Sequence, residues 1–82
     1  MRLVRRLQYF NRGYAVKIPG RLMLPRRVEA KIVCINHEEP PIKLSFEAKV
    51  SGKKHRFLWI PAKIVRFYNM KPGDIVELEI HG

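Results

Sequence analysis

The chain has 82 residues, 17 of them Lys or Arg against 7 Asp or Glu, for a net charge of +10. That length fits one domain and excludes two independent cores, and 46% apolar residues without a low-complexity run read as globular rather than disordered. A lone cysteine, Cys34, excludes an internal disulfide and fits a reducing compartment, while no stretch approaches the ~20 apolar residues of a membrane span.

Residues 1–27 contain Arg2, Arg5, Arg6, Arg12, Lys17, Arg21, Arg26 and Arg27 and no acid. Seven of these eight are Arg, whose planar fork makes bidentate contacts with phosphate. The segment is expected to be a basic arm preceding a small β domain at 28–82. Leu3, Leu7 and Phe10 stand at helical spacing, so residues 1–14 are expected to form a short amphipathic helix, ending near Asn11 and Gly13, that orders on its partner. Two apolar segments follow, Ala15 to Ile18 and Leu22 to Leu24. Each is closed by a proline, Pro19 or Pro25, which favours extended pieces.

Val28 to Ile35 is mostly β-branched or apolar, and Asn36 through Pro41 supply the turn chemistry that ends this strand. Cys34 lies in its apolar run and is expected in the core. From Ile42 to Val50 apolar and polar residues alternate, the pattern of a strand with one wet side. Ser51 to His55 is a basic, Gly-containing loop and Arg56 to Ile60 a returning strand, so a hairpin is expected, with Trp59 packed in the core. Pro61 suits the first position of a helix running to about Tyr68, with Ile64, Val65 and Tyr68 inward, Lys63 and Arg66 outward, and Asn69 in the left-handed position beyond it. Pro72-Gly73 makes a tight turn. Ile75 to Ile80 closes the chain as a strand with Val76, Leu78 and Ile80 on one face.

Lys49-Val50-Ser51-Gly52, then Ile60-Pro61 with Ile64, then Met70 and Gly73-Asp74 followed by Ile75, Val76, Leu78 and Ile80 form an ordered set. Over about residues 44–82 it resembles the AbrB/SpoVT swapped-hairpin domain. The resemblance implies a small β-barrel with one short helix, completed by a second copy that exchanges hairpins, and a DNA-facing hairpin with Lys49, Lys53, Lys54 and Arg56 at or near the contact. A half-barrel of this size cannot bury enough apolar surface alone, which agrees with a homodimer. Val16-Lys17-Ile18-Pro19 faintly echoes Leu58-Trp59-Ile60-Pro61, leaving a degenerate internal repeat and single-chain barrel as a lesser alternative.

The three histidines are scattered, Cys34 has no second thiol, and no spacing matches a zinc, P-loop or dinucleotide site. Neither catalysis nor a cofactor or metal is expected. The expected function is nucleic-acid binding in the cytoplasm, first as an AbrB-like DNA-binding transcriptional regulator or chromatin-associated protein on the nucleoid. The alternative is a structural RNA-binding component of a ribonucleoprotein such as the ribosome, its Arg-rich arm threaded among RNA helices beside other proteins.

Overall fold

The computed structural model describes residues 1–81. Strands β1 (Arg2–Arg6), β2 (Gln8–Phe10), β3 (Gly13–Ile18), β4 (Arg27–Ile35), β5 (Leu44–Ser51), β6 (Arg56–Ile60) and β7 (Ile75–His81) form one antiparallel sheet. A single short helix, α1 (Ala62–Phe67), interrupts the second half of the described chain. The sheet order is β1-β7-β4-β5-β6-β3-β2. The outermost strands are therefore consecutive in sequence, separated only by Leu7, and the curled sheet is brought round on itself by residues 2–10. The mostly β architecture with one short helix is the class expected from the sequence.

The amino-terminal residues depart from the expected helix and arm. They are strands of the same sheet, with Leu3, Leu7, Val16 and Ile18 in its core. Leu7 is 1% exposed; burying a leucine contributes about 1.5–3 kcal/mol, so detaching this segment would cost a large part of a small domain's stability. Its backbone is held as well, with the Leu7 N–H donating to the Asp74 carbonyl at 2.8 Å and the Gly73 N–H donating to the Leu7 carbonyl at 2.7 Å. The repulsion along the Arg run is relieved by β7 and the turn before it: Arg2 stands 4.0 Å from Glu79 of β7, and the Arg6 guanidinium donates to the Gly73 carbonyl of the turn at 3.0 Å. Asn11 and Arg12 both adopt positive φ, 50° and 61°, forming a two-residue hairpin turn rather than a helix end.

The second half follows its local signals closely. At the hairpin between β5 and β6, Gly52 takes φ +113°, and a Cβ there would run into the His55 carbonyl oxygen. Pro61 caps α1 instead of opening it, and Ile64 and Val65 are its buried residues. Asn69 takes φ 53° just beyond the helix. In the following turn the Asp74 carboxylate accepts from the Lys71 N–H at 2.8 Å, and Gly73 takes φ +98°. β4 lies between β5 and β7, and its register with β7 shifts between Ile32 and Cys34. That bulge leaves Cys34 half-buried rather than in the core. The core itself gathers Val16, Ile18, Ile32, Leu58, Val76 and Leu78, and contains no buried polar or charged residue among the described ones.

Candidate nucleic-acid interface

Alternation along β3 and β6 sends Val16, Ile18, Leu58 and Ile60 inward and Lys17, Phe57 and Trp59 outward. Trp59 is thus half-exposed on the outer face, not a core residue. It rests where β3 has almost no side chains. A Cβ on Gly13 would stand 2.9 Å from its ring, and Ala15, directly opposite Trp59, is fully buried beneath the aromatic layer. Phe10 joins from β2, 4.7 Å from Phe57 and 5.0 Å from Trp59 between ring centroids. The indole N–H donates to Ser51 Oγ at 2.6 Å, fixing the ring against β5. Tyr9, 54% exposed, packs against Tyr14 at 4.9 Å on the neighbouring strands. The outcome is an outward aromatic patch of Phe10, Phe57 and Trp59. Sequence reasoning missed it, although the small residues Gly13 and Ala15 were its available signal.

Beside this patch the fold assembles a basic end from segments distant in sequence. The loop of residues 19–26 runs against the root of the β5–β6 hairpin, held by Arg56 donating to the Leu24 carbonyl at 3.0 Å and by the Val50 N–H donating to the Arg26 carbonyl at 2.7 Å. The loop that carries Arg21 and Arg26 is thereby held against the hairpin that carries Lys53 and Lys54, with Lys17 on the strand that pairs with β6. All five are exposed, and none makes a side-chain hydrogen bond or ion pair among the described residues. Lys49 stands opposite Trp59 on β5, and Arg12 sits at the β2–β3 turn. Arg5 and Lys17 line one shallow groove with Gln8 and Pro19.

The remaining bases expected at the interface are used structurally. Arg2 faces Glu79, and Arg27 pairs with Glu47 at 3.2 Å. Arg6 is tied to the Gly73 carbonyl. Arg56 turns inward as the brace just described, its Nε buried without a partner. All seven acids of the chain lie at Glu29, Glu38, Glu39, Glu47, Asp74, Glu77 and Glu79. They are carried by β4, the first half of β5, β7 and the adjoining turns. The stretches 1–28 and 48–73 contain none, and the pairing of β3 with β6 and of β2 with β3 folds much of both onto one side. A polyanion thus meets one face with cations and π-surface, with Glu47, which shares a groove with Lys49 and Trp59, at its margin.

Cys34, the one nucleophilic thiol, has its pKa raised above the ordinary 9.0, first by desolvation and then by the carboxylates of Glu77 and Glu39. A thiol held protonated in this way is a poor nucleophile. No group of three or more His, Cys, Asp or Glu could hold a metal ion among the described residues, and none of their helices is long and apolar enough to cross a membrane. No protein-family model matches the chain, and no curated protein or solved structure matches it.

Proposed function

We propose that this protein binds nucleic acid, duplex DNA by preference, through the basic face formed by the β5–β6 hairpin, the loop of residues 19–26 and the outer side of β3 and β6. The observation that carries the reading is the convergence of Arg21, Arg26, Lys53, Lys54 and Lys17 at one end of a molecule whose acids all lie elsewhere. Such a cluster suits a phosphate backbone, because each neutralised phosphate releases condensed counterions. The preference for a duplex is supported by the aromatic patch, where Phe10 and Phe57 pack edge-on and Trp59 lies tilted against both, rather than the rings standing apart as base-stacking platforms. It is also supported by the order β5, basic hairpin, β6, Pro61, α1, Gly73-Asp74, β7, which resembles the AbrB/SpoVT domain and its DNA-facing hairpin. On this reading the protein is a DNA-binding regulator or chromatin-associated protein of the nucleoid.

A second reading is favoured by Tyr9, whose exposed ring on the β2 edge offers a stacking surface to an unpaired base. That reading makes the chain an RNA-binding component of a ribonucleoprotein. Fluorescence anisotropy on a 16-bp DNA duplex, the same sequence as RNA duplex and each single strand separates the two. Tightest binding to the DNA duplex, lost in high salt, is expected. Preference for single-stranded or folded RNA moves the assignment to the ribonucleoprotein, and no binding to any of them refutes nucleic-acid recognition.

A further inference from the structure

The two halves of the sheet are related by an internal twofold axis. With Val16 equated to Leu58 and Leu7 to Val50, the β2–β3 pair Gln8 and Ala15 falls on the β5–β6 pair Ser51 and Phe57, and the sheet makes both. The same holds at the far side. Val28-Glu29-Ala30-Lys31-Ile32 of β4 matches Val76-Glu77-Leu78-Glu79-Ile80 of β7 at Val, Glu and the final Ile, and the pair Ala30 and Ile80 becomes Leu78 and Ile32, again one the sheet makes.

The first strands complete the correspondence. With Leu3 equated to Phe46 and Leu7 to Val50, each of the five β1–β7 pairs falls on a β4–β5 pair: Arg2 and Glu79 on Ser45 and Lys31, Arg6 and Ile75 on Lys49 and Arg27. The Ile80 N–H donating to the Met1 carbonyl at 2.7 Å occupies the place of the Ile32 and Leu44 pair. Each half sends its first strand across to the last strand of the other, β1 to β7 and β5 to β4. Residues 1–35 and 44–81 are therefore two exchanged copies in one chain, and the first copy supplies the core surface that a second molecule was expected to bring.

The axis leaves the molecule at two unlike ends. It passes between Lys31 and Glu79 among the glutamates of β4 and β7, and between Val16 and Leu58 beneath the outward Lys17 and Trp59. At this second end the strand pairing is symmetric, and the turns and side chains are not. Lys17 corresponds to Trp59, Ala15 to Phe57, and the Asn11-Arg12 turn to the longer Lys53-Lys54-His55 turn, while the helix is present in the second half alone.

We propose that one molecule, not a pair, engages one stretch of duplex DNA through this end of the axis and reads it asymmetrically, with the basic hairpin of the second half making more phosphate contacts than the turn of the first. The inference rests on the nucleic-acid reading above. The longest dimension is 33 Å, no more than about one turn of duplex, ~34–36 Å, so one chain covers a single short stretch of DNA. An identical pair imposes a palindrome on its site, whereas diverged halves within one chain do not.

The test is selection from a random-sequence duplex pool, followed by native mass spectrometry of the full chain with a selected 12-bp duplex and sedimentation of the free protein. A monomer in solution, one chain per duplex and selected sequences without an inverted repeat are expected, with Lys53→Ala/Lys54→Ala lowering the salt slope by about 1.8 and Arg12→Ala by about 0.9 at most. Two chains per duplex on inverted repeats overturn the inference and leave the nucleic-acid reading standing. Retention of no duplex overturns the inference and, with it, the preference for duplex DNA. Equal losses from the two variants overturn the asymmetry, and because all three side chains are exposed and make no bond in the fold, such losses are not ascribed to misfolding.

Discussion

Replacing Lys53 and Lys54 by Ala tests whether the basic end is the phosphate-binding surface. If Lys17, Arg21, Arg26, Lys53 and Lys54 each neutralise one phosphate, five contacts give a slope of about −4.5 in log K against log salt, and affinity falls about 500-fold between 50 and 200 mM. With both lysines gone, three contacts remain, the slope becomes about −2.7, and the same salt step costs about 40-fold. Extrapolating the two lines from a common value at 1 M, the double variant binds about 30-fold more weakly at 0.15 M. The assay is anisotropy of a labelled 16-bp duplex at five or more salt concentrations. The control is Arg2→Ala/Arg27→Ala, which removes the same formal charge from bases held near Glu79 and Glu47 and is expected to leave the slope nearly unchanged. An unchanged slope in the lysine variant, or an equal change in the control, would show that net charge rather than this surface drives binding.

Three further outcomes follow from the packing and chemistry. Leu7→Ala empties a 1% exposed site where the strand passes from one sheet edge to the other, and urea unfolding should show a loss of about 2–5 kcal/mol; a loss below 1 kcal/mol would mean that the amino-terminal strands are dispensable to the core. Gly13→Val pushes into the Trp59 ring, which a Cβ alone already approaches at 2.9 Å, so tryptophan emission should shift to the red as the indole leaves Phe10 and Ser51, and an unchanged spectrum would contradict the packing. Cys34 is held protonated above its ordinary range, so iodoacetamide at pH 8 should alkylate the folded protein more slowly than the urea-unfolded chain. Equal rates would remove the case for an inert thiol.

The second half was legible because its punctuation is local. Pro61, Asn69, Pro72 and Gly73 each fix a backbone conformation whatever surrounds them, and the strands between them needed only a period of two. The first half was misread because its secondary structure is decided by a distant partner. Leu3 and Leu7 sit at a spacing compatible with a helix, and the unrelieved charge of Arg2, Arg5 and Arg6 argues for disorder. The glutamate-bearing strand that accepts the segment lies some seventy residues later, and no local propensity encodes it. Trp59 was misread for a different reason. Both faces of the Arg56–Ile60 segment carry large apolar side chains, so alternation alone could not tell which set turns inward. The exposed bases were legible as a set, but the division between phosphate-facing and structural members was not: Arg56 and Lys54 are equivalent in sequence terms, and only the loop carbonyl of Leu24 makes the first a brace.

The electrostatic asymmetry follows from the duplication itself. Along the chain, acid-free and acid-bearing stretches alternate: residues 1–28 carry no acid, 29–47 carry four, 48–73 carry none and 74–79 carry three. Because the two last strands pair across the axis at one end, through Lys31 and Glu79, and the two hairpin strands pair across it at the other, through Val16 and Leu58, a linear alternation becomes a molecule with one basic and one acidic end. The acids then act at a distance. Glu29 and Glu77 occupy equivalent positions at the acidic end, so replacing both by Gln should leave the salt slope of binding unchanged, since no phosphate contact is lost. It should nevertheless alter the association rate at low salt, because the orienting field of the molecule has been weakened. A change in slope with no change in rate would mean that the glutamates sit within the contact, and that the interface is not confined to the basic end of the axis.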